Sequence, residues 1–169
     1  MPILNPIHLF EQADKLVEAP PAGPPRQVDL RRAISSSYYA VFHLTLTALA
    51  DEFIGAAHRG TDRYALMHRS VDHRAIKDLC SVVSQSKPPA KYGPYVPANG
   101  FGPELLTFAS AFIDLQDKRH RADYDVATRY RQLDARLAIT TGRSAMTGFT
   151  AADAAKRRMF LTLLLCRPR

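Results

Sequence analysis

The stretch Leu30–Phe53, LRRAISSSYYAVFHLTLTALADEF, constrains the fold more than any other part of the chain. It contains neither Gly nor Pro, and Asp29 just ahead of it offers an N-cap acceptor. Ala33, Ile34, Val41, Leu44, Leu46, Leu49 and Phe53 leave little polar surface in its second half. The pattern predicts a central helix, covered on all sides and ending near Gly55. One stripe breaks the apolar cover. Arg32, Ser36, Tyr39 and His43 follow at spacings of four, three and four, which stacks them on one face. An unpaired buried polar group costs ~1–3 kcal/mol, so the stripe must find partners. Two readings are open: satisfied core polar residues, or one wall of a binding site.

The flanking sequence arranges further helices around this one. Asn5 and Pro6 predict a first helix over residues 6–18, with Ile7, Phe10, Leu16 and Val17 as its apolar contacts. Residues 19–25, APPAGPP, form a stiff Pro-rich connector. A third helix is expected from Ala65 to Ser84, on Met67, Val71, Ile76, Leu79, Cys80 and Val83. Ser86–Pro103 holds five prolines and three glycines and predicts a long irregular loop. Its Lys87, Lys91, Tyr92, Tyr95 and Phe101 suit either stacking against nucleic-acid bases or pinning the loop to the core. A fourth helix is expected from Glu104 to about Arg121, a fifth from about Arg131 to Met146, weakened by Gly142. Thr150 and Asp153 suggest a capping box opening a last helix, Ala151 to Leu165. No strand alternation is evident. The expectation is an all-α bundle of five to six helices in one domain.

Several functional classes are excluded at this stage. No GxGxxG, P-loop or GxSxG pattern occurs, so no cofactor is implied. His68 and His73 are five residues apart, on different helix faces, and carry no zinc motif. Cys80 and Cys166 lack ligand spacing and read as reduced thiols of a cytoplasmic protein. The N-terminus lacks the features of a signal peptide, and the apolar run Met159–Cys166 is too short to span a bilayer. Charge is unevenly placed. Residues 1–117 carry 11 Lys/Arg against 12 Asp/Glu, whereas residues 118–169 carry 12 against 4. A basic end of this kind suits an anionic partner, nucleic acid first, or simply a solvated surface.

The polar stripe has a counterpart eighty residues on, the cluster Gln116–Asp125. The phrase Arg32-Ala-Ile-Ser-Ser-Ser-Tyr-Tyr-Ala-Val-Phe-His43, followed by Lys118-Arg-His-Arg-Ala-Asp-Tyr-Asp125, resembles the HEPN superfamily of small helical-bundle proteins. It is most similar to the branch with a RAISRAYYAxFH…R-x-x-ADYD pattern. The resemblance covers somewhat over half the chain. It implies an up-and-down bundle that commonly forms a homodimer, and in some pairs a nucleotidyltransferase-like protein partner. In the active ribonucleases of that superfamily an Arg and a His, with four to six residues between them and often followed by a Tyr, cleave RNA without metal.

Carried over, the motif places Arg119 at the Arg position and Tyr124 at the Tyr position. Asp123 stands where the His is expected, and His120 is adjacent to Arg119. Metal-free cleavage needs a proton acceptor, a proton donor and a cation for the phosphate. Arg119 suits the last role. A carboxylate such as Asp123 is a weak base that repels phosphate, which leaves His43 or His120 as substitutes. The candidate catalytic set is therefore Arg119, Asp123 and Tyr124, with His43 and His120. The candidate binding set is Arg32, Tyr39, His43, Arg119 and Arg121, and no metal site is expected. Three functions remain open: a module binding RNA or a nucleotide, a metal-independent ribonuclease, and a partner for another protein. Alternatively, Arg119 and Asp123 form a structural lock between helices.

Overall fold

The computed structural model describes residues 4–18 and 23–168. The helices are α1 (Pro6–Val17), α2 (Gln27–Phe53), α3 (Asp62–His68), α4 (His73–Val83), α5 (Pro103–Tyr124), α6 (Gln132–Ala151) and α7 (Ala154–Leu165). Short 3-10 turns lie at Ala56–His58 and Ala90–Tyr95. Among the described residues there is no strand, so the chain is an all-α helical bundle.

The central stretch forms α2, which packs against α1, α5 and α6, with α4 laid on α5. Leu30, Ala33, Ile34, Tyr38, Val41 and Leu49 are buried along it. They join Phe10, Ile76, Leu79, Phe108, Phe112, Phe149 and Phe160 in one continuous core. The helix begins three residues before Leu30. Arg26 occupies the N-cap position, and Asp29 lies in the first turn, where its carboxylate pairs with Arg26 at 2.7 Å. Acidic charge there favours the positive end of the helix dipole without being a cap. At the other end Ile54 caps and Gly55 takes φ 97°, a backbone that L-residues disfavour, near where the sequence placed the end.

Three expectations need correction. The helix expected over Ala65–Ser84 is two helices, because Asp72 accepts the Ala75 N–H at 2.7 Å and starts α4 afresh after Arg69 has ended α3. In the loop over Ser86–Pro103, residues Ala90–Tyr95 form a 3-10 turn despite Pro94. Phe101 there is buried, and Tyr92 and Val96 pack on the core, so these side chains pin the loop. Tyr95 remains exposed. The last helix is capped by Asp153, which accepts from Lys156 N–H, while Thr150 turns back to the Met146 carbonyl. The Pro-rich connector lies partly outside the described residues. Among the described residues no helix is long and apolar enough to cross a membrane.

Candidate functional site

The C-terminal third of α5 meets the middle of α2, and the polar residues of the two helices converge there. Arg119 donates from a terminal guanidinium nitrogen to the Tyr39 hydroxyl at 2.6 Å. Its Nε lies 2.8 Å from Asp123 Oδ2, one helical turn on. That approach is an ion pair whose angle leaves the Nε–H without an aligned acceptor. The other Asp123 oxygen accepts from Ser35 Oγ at 2.6 Å, which ties α5 to α2. The guanidinium also sits over the rings of Tyr39 (5.3 Å), Tyr124 (5.7 Å) and Tyr38 (6.0 Å). The Arg119 and Asp123 side chains are 19% and 21% exposed. Burial works against the Arg119 charge, but the Tyr39 hydroxyl, Asp123 and Tyr124 outweigh it and hold the pKa above its ordinary value.

A second polar group continues from Tyr39 toward α3 and α4. The Tyr38 hydroxyl lies 2.6 Å from His73 Nδ1, and the His73 ring stacks on Phe42 at 3.9 Å. His43 and His68 stack at 5.8 Å, and His68 Nε2 lies 3.5 Å from Thr47 Oγ1. Buried His43 Nδ1 has no hydrogen-bond partner. All three imidazoles are held below the ordinary histidine range. Burial is the leading cause for each, reinforced by His68 and His73 at His43, by Arg69 at His68 and by Arg119 at His73. The Tyr38 hydroxyl is pushed well up, chiefly by burial.

The structure therefore divides the residues singled out from the sequence. Arg119, Asp123, Tyr39 and Tyr124 come together. His43 turns toward His68 instead of toward Asp123, and His120 lies outside, its exposed ring 5.0 Å from that of Tyr124. Arg32 is exposed and joins no hydrogen bond of the cluster. Arg121, also exposed, lies on another face of α5.

Four contributors escaped the sequence reading: Arg31, Ser35, Tyr38 and His73. Arg31 donates to the carbonyls of Ala122 (2.7 Å), Asp125 (2.9 Å) and Thr128 (2.5 Å) and so caps the C-terminal end of α5. A signal was present. Arg31, Ser35 and Tyr38 repeat the four-and-three spacing one residue earlier, about 100° round the helix. The site uses the seam between the two stripes.

Asp123 is committed at both oxygens, so the cluster can brace a helix end and present Tyr124, but it offers no free carboxylate. Among the described residues no group of His, Cys, Asp or Glu is arranged to hold a metal ion. Comparison of the chain with protein-family models, with curated proteins and with solved structures returned no match.

Proposed function

We propose that this chain is an RNA-binding helical module of the HEPN type, in which Arg119 braces and Tyr124 stacks. The observation that carries this reading is the state of Tyr124. Tyr124 is 65% exposed at the end of α5, with the Arg119 guanidinium 5.7 Å from its ring centroid and the tilted His120 ring at 5.0 Å. A large aromatic exposed to solvent is a ready platform for an unpaired base, and Arg121 lies close in sequence for the backbone charge. The basic balance of residues 118–169 supports the same partner. The ribonuclease reading has less support, because Asp123 is tied to Arg119 and Ser35 and no imidazole takes its place.

Binding of a labelled single-stranded oligoribonucleotide, followed by fluorescence anisotropy at low salt, tests the proposal. A stacked base contributes about 1–3 kcal/mol, so Tyr124→Ala weakens binding roughly five- to a hundredfold while Tyr124→Phe retains it. No binding by the parent protein, or equal binding by Tyr124→Ala, overturns it. Cleavage of the same RNA in the presence of EDTA would restore the ribonuclease reading.

A further inference from the structure

A separate cavity of about 240 Å³ opens between the last turns of α5, the segment 125–131 and the start of α6, with Ile34 of α2 at its floor. Its walls include Lys118, Arg121, Arg129, Tyr130, Asp134 and Leu137. The charges there do not cancel. Lys118 pairs with Asp114 at 2.6 Å. Asp134 is engaged by the Arg131 backbone N–H at 2.7 Å and the Arg131 guanidinium at 3.5 Å. Arg121 makes one long hydrogen bond, to the Asp117 carbonyl at 3.4 Å. Among the described carboxylates none lies within 4 Å of the Arg121 or Arg129 guanidinium. Two forked cations therefore line one small cavity whose lining carboxylate, Asp134, is already engaged by Arg131.

The frame around them is rigid. Gln27 clamps Tyr130 from both sides, accepting its backbone N–H at 2.9 Å and donating to its carbonyl at 2.7 Å. Arg31 holds the carbonyls of Asp125 and Thr128 and lies over the Tyr130 ring at 5.4 Å. Asp125 closes the same turn, accepting from the Ala127 N–H at 2.9 Å and the Thr128 hydroxyl at 2.5 Å. The segment that carries Arg129 is thus ordered before any ligand arrives, which lowers the entropy lost on binding. Arg31 also spends its charge on the carbonyl end of α5, so the negative helix terminus does not oppose an anion.

We propose that this cavity binds a phosphate monoester. Two guanidinium groups match a dianion, and their planar forks suit phosphate oxygens in a way that a point charge does not. A phosphodiester inside a strand carries a single charge and has chain on both sides. A cavity of about 240 Å³ closed by α2, α5 and α6 accepts a terminal group instead. Tyr130, Leu137 and Ile34 supply an apolar wall for the sugar or base that carries it. The ligand is a free nucleoside monophosphate or the phosphorylated end of an RNA strand. The inference shares Arg121 with the proposed function but does not rest on the stacking role of Tyr124.

The test titrates the full chain with inorganic phosphate, adenosine, adenosine monophosphate, and one short single-stranded RNA bearing a 5′-phosphate, a 3′-phosphate or only hydroxyl ends. Adenosine monophosphate, or one of the phosphorylated strands, is expected to bind at least about tenfold more tightly than its unphosphorylated counterpart. Preference for the mononucleotide identifies a free ligand, and preference for a phosphorylated strand identifies a strand end. Arg129→Gln and Arg121→Gln, each at an exposed position, should remove that increment. Equal affinity with and without the phosphate, or an increment that survives both arginine substitutions, overturns the proposal. Loss of hydroxyl-ended RNA binding on Tyr124→Ala reports on the stacking reading alone, so the two can fail separately.

Discussion

At the scale of single residues, Arg119 and Asp123 act as a lock whose parts depend on one another. Removing the carboxylate leaves the guanidinium with Tyr39 and three ring faces but no counter-charge, and it strands the Ser35 hydroxyl. Because both side chains are about one-fifth exposed, water repairs part of the loss. Asp123→Ala is expected to lower unfolding free energy by about 1–3 kcal/mol, measured by urea denaturation. A variant as stable as the parent would show that the pair does not lock the helices. The histidines make a prediction of opposite pH sense to a salt-bridged His. His43, His68 and His73 have folded pKa values below their unfolded value of about 6.5, so below that pH the unfolded chain binds more protons than the folded one. Their contribution is complete above that pH and declines as pH falls through it toward the folded values. Asp51 of α2 faces His68, and Asp72, the N-cap of α4, adjoins His73; both temper the loss without reversing it. Asp51, Asp125 and Asp134, held below the carboxylate range, lose their own contributions only at lower pH. The urea midpoint should therefore drop between about pH 7.5 and about pH 5.5, where histidines titrate and carboxylates stay ionised. A midpoint that holds or rises would show that these rings are not kept neutral.

At the scale of elements, the central helix and the helix-rich class were legible because apolar periodicity over long Gly- and Pro-free stretches leaves few alternatives. The polar cluster was legible as two segments that needed each other. What escaped was azimuth. A shift of one residue on α2 exchanges Arg32, exposed, for Arg31, which closes the end of α5. The break between α3 and α4 escaped because Met67, Val71 and Ala75 carry a spacing of four across it, while the signal that decided the matter was the Asp72 cap. Gly142 was read as a weakness in the fifth helix, yet α6 runs through it to Ala151. The reason is close approach. A Cβ at Gly142 would lie 2.7 Å from Phe10 Cε1 and 3.3 Å from the Ser37 carbonyl, so the glycine seats α1 and α2 against α6. Gly142→Ala is expected to cost about 1–3 kcal/mol by overpacking. Phe10→Leu in the same chain should recover part of the loss, because it shortens the side chain that must move. Additive losses in a double-mutant cycle would sever the connection between the two positions.

At the scale of the whole molecule, the charge imbalance was plain in the sequence, but the identity of the spare cations was not. Of the basic residues from 118 onward, Lys118, Arg119, Arg131, Arg143 and Arg158 each pair with a carboxylate. Arg157 is spent on the carbonyls of Phe149, Thr150 and Ala152. Several of the partners, Asp14 and Glu52 among them, come from the acidic first part of the chain, so folding cancels much of the asymmetry. Among the described residues Arg121, Arg129, Arg136, Lys156 and Arg167 are outside these ion pairs and carbonyl contacts, and Arg121 and Arg129 share the cavity at the end of α5. That remainder sets a limit on how strongly salt controls RNA binding. Each phosphate neutralised on a single strand contributes about −0.7 to the slope of log affinity against log salt. With two to four spare cations in contact, the expected slope is roughly −1.4 to −2.8, well short of what the twelve basic residues of the C-terminal third would suggest. Replacing Arg121 and Arg129 together by Gln should flatten the line by about 1.4. Anisotropy titrations across a salt series measure both quantities. A slope several-fold steeper would mean that the internally paired arginines open to meet the strand. A flat line would mean that the basic end of this chain does not face RNA at all.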